Sequence, residues 1–168
     1  MLISTQFGRQ QKVQSYGGDA RICLAFHGTR EDNIDPIMDN NFSMEKVGSS
    51  TGNLGWFGRG IYFGRRAYTA LGYNVGRRML LALVVVGKHS TFMCPLPDSS
   101  ENPYHGQPCV ANHDSHLSPT GRELVVFDPK QILPCFCLHL STSEYGKWSR
   151  SDYYGREAHP DCGLLGGD

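Results

Sequence analysis

The stretch RICLAFHGTR, residues 21–30, runs from a mostly apolar segment directly into a histidine, a glycine and a threonine. A short apolar run bounded by polar turn formers reads as a buried strand, here over 21–26, and it delivers His27 next to a bare backbone at Gly28. Outward from that stretch the same pattern recurs. Residues 79–88, MLLALVVVGK, read as a long strand rich in β-branched residues, and 123–127, ELVVF, as another. A last strand is expected over 132–140, ILPCFCLHL, where Pro134 calls for an edge position or a bulge. Residues 31–39 are predicted to form a short helix ended by Asn40 and Asn41, and 65–73 a second. Long loops are expected over 43–57, rich in Gly and Ser, and over 95–121, rich in Pro. The pattern predicts an α+β domain with a largely antiparallel sheet, short helices and functional residues carried on its loops.

At 168 residues and 39% hydrophobic content the chain is long enough for one domain with an ordinary core. We expect a core over about 20–140, with 1–19 and 145–168 peripheral. Formal charge is zero, yet the stretch from Lys46 to Pro97 carries seven Lys and Arg and no Asp or Glu. That asymmetry reads either as a solvated basic face or as a site for a phosphate or pyrophosphate. Nucleic-acid binding is disfavoured, because the cations accompany neither a reading helix nor an aromatic repeat. The start, MLISTQFGRQQ, lacks the pattern of a secretory signal, and the longest apolar run, Met79 to Val86, is too short to span a bilayer.

Six cysteines occur without a CxxC pair, which suggests reduced, buried thiols in an intracellular protein. Cys109, His113 and His116 have the chemistry of zinc ligands. Cys135, Cys137 and His139, however, share a strand face at a period of two, which a sheet explains without a metal. No metal is expected.

Two further stretches carry chemistry. WFGRGIYFG, residues 56–64, has glycines at 58, 60 and 64 around an aromatic pair, which fits either close approach of a ligand or a glycine-rich hairpin with Tyr62 and Phe63 in the core. It is no dinucleotide fingerprint, since it follows a loop and opens no βαβ unit. In GRELVVFDPKQILP, residues 121–134, Glu123 begins an otherwise apolar strand, and taken alone it reads as a solvated strand end.

Together these stretches resemble the catalytic domain of the poly(ADP-ribose) polymerase family, the diphtheria-toxin-like ADP-ribosyltransferases. The resemblance rests on a strand ending in His-Gly-Thr, then GRGIYF, then ELVVFD with Gln131 eight residues after the glutamate, and it covers about residues 20–140. It implies a split β-sheet core and a transferase that takes NAD⁺ as co-substrate, expels nicotinamide and passes ADP-ribose to an acceptor. His27, Tyr62 and Glu123 match the catalytic signature. His27 would hold a ribose hydroxyl, and the backbone of Gly28 the nicotinamide amide. Tyr62 and Tyr73 would wall the nicotinamide ring, with Thr29, Phe63 and Ala70 also at the cofactor site. Arg59, Arg65 and Arg66 are candidates for the pyrophosphate.

The chemistry suits the residues. Cleavage at a cationic leaving group passes through an oxocarbenium-like state that a carboxylate stabilises, and aromatic faces attract a flat cation. The family usually has a serine eight residues after Tyr62; this chain has Ala70 there, and Thr69 beside it is the alternative. Asn41 stands where relatives commonly have glycine, a position at which Asn tolerates the left-handed conformation. The bare core leads us to expect no preceding helical regulatory domain. An active enzyme transferring single ADP-ribose units to a protein acceptor, as a monomer, is favoured over polymer synthesis and over a nucleic-acid acceptor. The alternative is a catalytically silent domain that binds NAD⁺ or ADP-ribose or serves as an interaction scaffold.

Overall fold

The apolar run before His27 does form a strand, and the histidine is its last residue. In the computed structural model, which describes residues 20–49, 54–88, 94–95 and 103–141, the elements follow the order β1 (Ala20–His27), α1 (Glu31–Asn40), β2 (Ile61–Gly64), α2 (Ala67–Leu71), β3 (Arg78–Lys88), β4 (Cys94–Pro95), β5 (Ser115–Leu117), β6 (Glu123–Val126) and β7 (Ile132–His139). The expected peripheral segments 1–19 and 145–168, with Cys162, lie outside the described residues.

The strands form one sheet in the order β4-β5-β6-β2-β1-β3-β7, in which six strands run antiparallel and β4 adds a parallel edge beside β5. β1 pairs with β3 along its whole length, from Ala20–Lys88 to His27–Leu80. Its pairing with β2, by contrast, is a single rung, Phe26–Gly64. The sheet is therefore two well-paired halves joined at one point, and that seam lies at the end of β1 where His27 stands.

Alternation along the strands sends Ala25, Ile61, Phe63, Ala82, Val84, Val86, Leu124, Val126 and Ile132 to one face, where they form the core. Phe42, Met44 and Val47, from the segment after α1, pack against that cluster. β7 is an edge strand, and its register slips between Leu81–Phe136 and Ala82–Pro134, so Cys135 forms a bulge next to the proline. Edge and bulge both suit a residue with no N–H to donate.

Three expectations need correction. The second helix is shorter than 65–73, since only Ala67–Leu71 is helical and Gly72 follows as its cap. The expected loop over 95–121 contains β5, a three-residue strand too short to show periodicity. The described thiols Cys23, Cys109, Cys135 and Cys137 are in no disulfide and only half-buried: Cys23 packs at the margin of the core, Cys109 stands in a loop, and Cys135 and Cys137 stand on the edge strand. Among the described residues no helix is long and apolar enough to cross a membrane.

Asn41 ends α1 with φ 68° and ψ 178°. The positive φ was expected, but the extended ψ places the residue outside the left-handed helical well, in a region that glycine alone enters readily. Its side chain offsets that strain. Nδ2 donates to the carbonyls of Pro129 and Ile132 at 2.9 and 3.1 Å, and Oδ1 accepts from the Phe42 N–H at 2.8 Å. Asn41 thus ties the end of α1 to the start of β7. Asn41→Ala, which keeps the strain and loses the bonds, should lower unfolding free energy by about 2–4 kcal/mol in urea titration. Asn41→Gly relieves the strain and should recover about 1–3 kcal/mol of that loss; equal stability of the two variants would contradict this account.

Candidate active site

His27 closes β1 on the same strand face as Cys23 and Ala25, so its ring points toward the aromatic part of the core. It meets Phe42 edge-on at 4.8 Å between ring centroids and Phe63 at 5.5 Å. Its Nδ1 lies 2.8 Å from the Tyr62 carbonyl oxygen, across the seam. A carbonyl only accepts, so the proton sits on Nδ1 and Nε2 is left as an acceptor. Burial lowers the imidazole pKa to about 4, against a smaller raising effect of that hydrogen bond. At neutral pH the ring is therefore uncharged and presents a lone pair.

Tyr62 and Phe63 part company. Phe63 is 1% exposed within the core, so this predicted site residue supports His27 from beneath instead of facing a ligand. Alternation turns Tyr62 to the opposite face of the sheet. Its hydroxyl donates to the Gly58 carbonyl at 3.0 Å and accepts from the Phe57 N–H at 2.7 Å. Burial, with smaller effects of the charges of Glu123 and Tyr73, raises the phenol pKa far enough that it stays protonated.

Glu123 is no solvated strand end. It is 8% exposed and pairs with Gly64, which in turn pairs with Phe26, so the three strand ends form one row across the seam. A turn that sequence reasoning passed over fixes its backbone: the Ser118 N–H donates to the Glu123 carbonyl at 2.9 Å, and the Ser118 hydroxyl accepts from the Glu123 N–H at 3.0 Å. The signal was legible in Ser118-Pro119-Thr120-Gly121, a β-turn sequence with Pro second and Gly last, closed by Gly121 N–H to Ser118 O at 2.8 Å.

Two glycines let α2 approach this row. A side chain at Gly28 would collide with the Ala70 carbonyl, and one at Gly64 would come within 2.8 Å of the Ala70 nitrogen and 2.7 Å of the Thr69 Cβ. Gly64 lies on the Tyr62 face, so Thr69 covers that face beside Glu123. Thr69 is 1% exposed, and its Oγ1 has no hydrogen-bond partner among the described residues. Ala70, 2% exposed, contributes packing. Tyr73 stands at the rim, 39% exposed. Thr29 faces α1 instead, its hydroxyl accepting from Asn33 Nδ2 at 3.0 Å.

The basic stretch is partly neutralised. Arg78 pairs with Glu31 and, through both terminal nitrogens, with Asp35 at 2.7 and 3.1 Å, and it holds both carboxyls below the usual carboxylate range. Arg65 donates to the Gly121 carbonyl at 3.3 Å, next to the turn that holds Glu123, while Arg59 is exposed. The residues weighed as zinc ligands have other partners: Cys109 donates to the His113 carbonyl, and both nitrogens of His116 bond to backbone. No group of three potential metal ligands occurs among the described residues. Gln131, 1% exposed, donates to the Val85 and Asp114 carbonyls at 2.7 and 3.3 Å, so it joins β3 to the segment before β5.

The family model for the poly(ADP-ribose) polymerase catalytic domain matches residues 3–142. No curated protein matches the chain significantly. Since the matched span takes in most of the 168 residues, the chain belongs to the poly(ADP-ribose) polymerase catalytic-domain family.

Proposed function

We propose that the chain is an active NAD⁺-dependent ADP-ribosyltransferase, a single catalytic domain that releases nicotinamide and transfers one ADP-ribose unit to a protein acceptor. The observation that carries this reading is Glu123, a buried carboxylate two rungs from the His27 strand, through Gly64, on the face of Tyr62. Burying a carboxylate is costly, and a domain that only binds has no evident use for one at this position. We favour single-unit transfer because the stretch between Tyr62 and Glu123 is compact.

In this mechanism the Nε2 lone pair of neutral His27 accepts a ribose hydroxyl of NAD⁺. The Gly28 backbone reads the nicotinamide carboxamide, which the missing Cβ allows to come close. The faces of Tyr62 and Tyr73 hold the cationic ring. The bond from the ribose anomeric carbon to nicotinamide breaks, its electron pair leaving with nicotinamide, and Glu123 stabilises the positive charge that builds on the sugar. An acceptor nucleophile then bonds to that carbon, and Glu123 takes its proton. With alanine in the family's serine position, the Thr69 hydroxyl, which has no hydrogen-bond partner among the described residues, is the group that meets the carboxamide.

Three outcomes test this reading. Glu123→Gln should keep NAD⁺ affinity by calorimetry yet slow nicotinamide release on the order of 10²–10³-fold, about 3–4 kcal/mol of lost transition-state stabilisation. A loss under about threefold would make the silent-domain reading the better one.

Thr69→Val should have opposite effects on stability and binding. Removing a buried hydroxyl without a partner stabilises the free protein, by up to about 1–3 kcal/mol, whereas inhibition by nicotinamide should weaken. Unchanged inhibition in the stabilised variant would take Thr69 out of the site.

His27 should titrate near pH 4 in NMR of its ring protons, well below the ordinary 6.5. Because the folded-state value is depressed, the unfolded chain binds the proton first. Stability should be full above about pH 6.5 and fall as the pH drops through that value toward 4. The KM for NAD⁺ should hold through this range and rise only as pH 4 is approached; an ordinary titration near 6.5 would remove the neutral-acceptor role.

A further inference from the structure

His116 is fully buried, yet nothing in the proposed chemistry uses it. It stands on β5 opposite Val125, which on its other side pairs with Tyr62, so His116 and Tyr62 lie in one cross-strand row. The Phe57 backbone bridges them, through the two peptide groups on either side of its Cα. Its N–H donates to the Tyr62 hydroxyl at 2.7 Å, and its carbonyl lies 2.7 Å from His116 Nδ1. The Val110 N–H donates to Nε2 at 2.9 Å, which places the imidazole proton on Nδ1, pointing at Phe57. Burial lowers the His116 pKa, in keeping with a neutral ring whose two nitrogens have fixed and opposite roles.

The ring itself is held by Phe127, edge-on at 4.6 Å, and by Tyr104 at 6.0 Å. Gly58 leaves room for it, since a Cβ there would come within 2.8 Å of the Phe127 ring and 3.1 Å of Nδ1. The two loops meeting at His116 are also joined directly, by Gly106 N–H to Gly55 O at 2.9 Å and Arg59 N–H to Gln107 O at 2.7 Å.

We propose that His116 is a positioning residue for Tyr62, acting through the Phe57 backbone: by gripping the carbonyl on one side of the Phe57 Cα it restricts that residue's torsions, which keeps the N–H on the other side aimed at the Tyr62 hydroxyl, and so sets the ring against which a planar carboxamide stacks. The inference rests on the ligand slot proposed above. A histidine that merely filled the core would affect stability without regard to which nitrogen was kept. A positioning histidine has an asymmetric requirement, because only the Nδ1 donor points toward Tyr62.

Two substitutions separate the nitrogens. In His116→Asn the side-chain amide N–H overlays Nδ1 and keeps the bond to Phe57 while losing that to Val110. His116→Gln keeps an acceptor for Val110 and loses the donor. With benzamide as the probe, affinity is measured by calorimetry at a temperature where each variant is folded. His116→Gln and Tyr62→Phe should each weaken binding about three- to tenfold, the equivalent of one net hydrogen bond, and His116→Asn by less than about twofold. The double variant Tyr62→Phe/His116→Gln should bind no worse than the weaker single, since both break one relay.

Multiplying effects in the double variant, or equal losses for Asn and Gln, would overturn the proposal. In the unmutated protein, benzamide should slow hydrogen exchange at the Phe57 amide, because coupling between ring and peptide is reciprocal. Unchanged exchange under saturating benzamide would also overturn it. If the unmutated protein fails to bind benzamide at all, the slot itself is refuted, which is a different result from binding that is indifferent to His116.

Discussion

The seam between β1 and β2 is the constraint on which the rest of the site depends. Two strands that share one rung, Phe26–Gly64, leave neighbouring peptide groups without a strand partner, and buried peptide groups must be satisfied somehow. At this seam an imidazole does part of that: His27 Nδ1 donates to the Tyr62 carbonyl where another rung would otherwise run. One contact thereby sets the tautomer of His27, holds the two halves of the sheet together and leaves the strand ends splayed. The core beneath, with Phe42 and Phe63 against the imidazole, keeps the ring uncharged and in place.

What packs over the seam follows from what is missing there. Gly28 and Gly64 present no side chain, so the backbone of α2 reaches both strand ends, and a helix of five residues is fixed by close approach more than by its own propensity. That approach places a threonine hydroxyl where it has no partner among the described residues. An unmet hydrogen-bonding group in a closely packed corner is a cost to stability, and costs of that kind are ordinarily retained where a ligand recovers them.

The opposite wall is built from loops whose hydrogen bonds go to specific side chains. Tyr62 and His116, one β6 residue apart across the sheet, hold the N–H and the carbonyl of Phe57, and Ser118 clasps both backbone groups of Glu123. The carboxylate and the aromatic wall are thus held by neighbouring clamps, from a strand of three residues and the turn that follows it. Charge is arranged with similar economy, since Arg78 is tied to α1 by Glu31 and Asp35 and is not a free cation of the basic stretch.

The sequence by itself determined the strands carried by long apolar runs, the first helix, the positive φ at Asn41, the edge or bulge position of Pro134 and the family, because each depends on local composition or on motifs whose residues stand together in the chain. The face taken by each member of the Tyr62–Phe63 pair was a matter of register, and register is set by the partner strand, so only the fold could send Phe63 to the core and Tyr62 to the opposite face. The burial of Glu123 depended on β2 and β5 flanking its strand, and β5 has too few residues to announce itself. The surroundings of His116 and Thr69 arose the same way: what a polar side chain meets in an interior depends on which backbone groups reach it, and those come from segments distant in the chain that tertiary packing alone brings together.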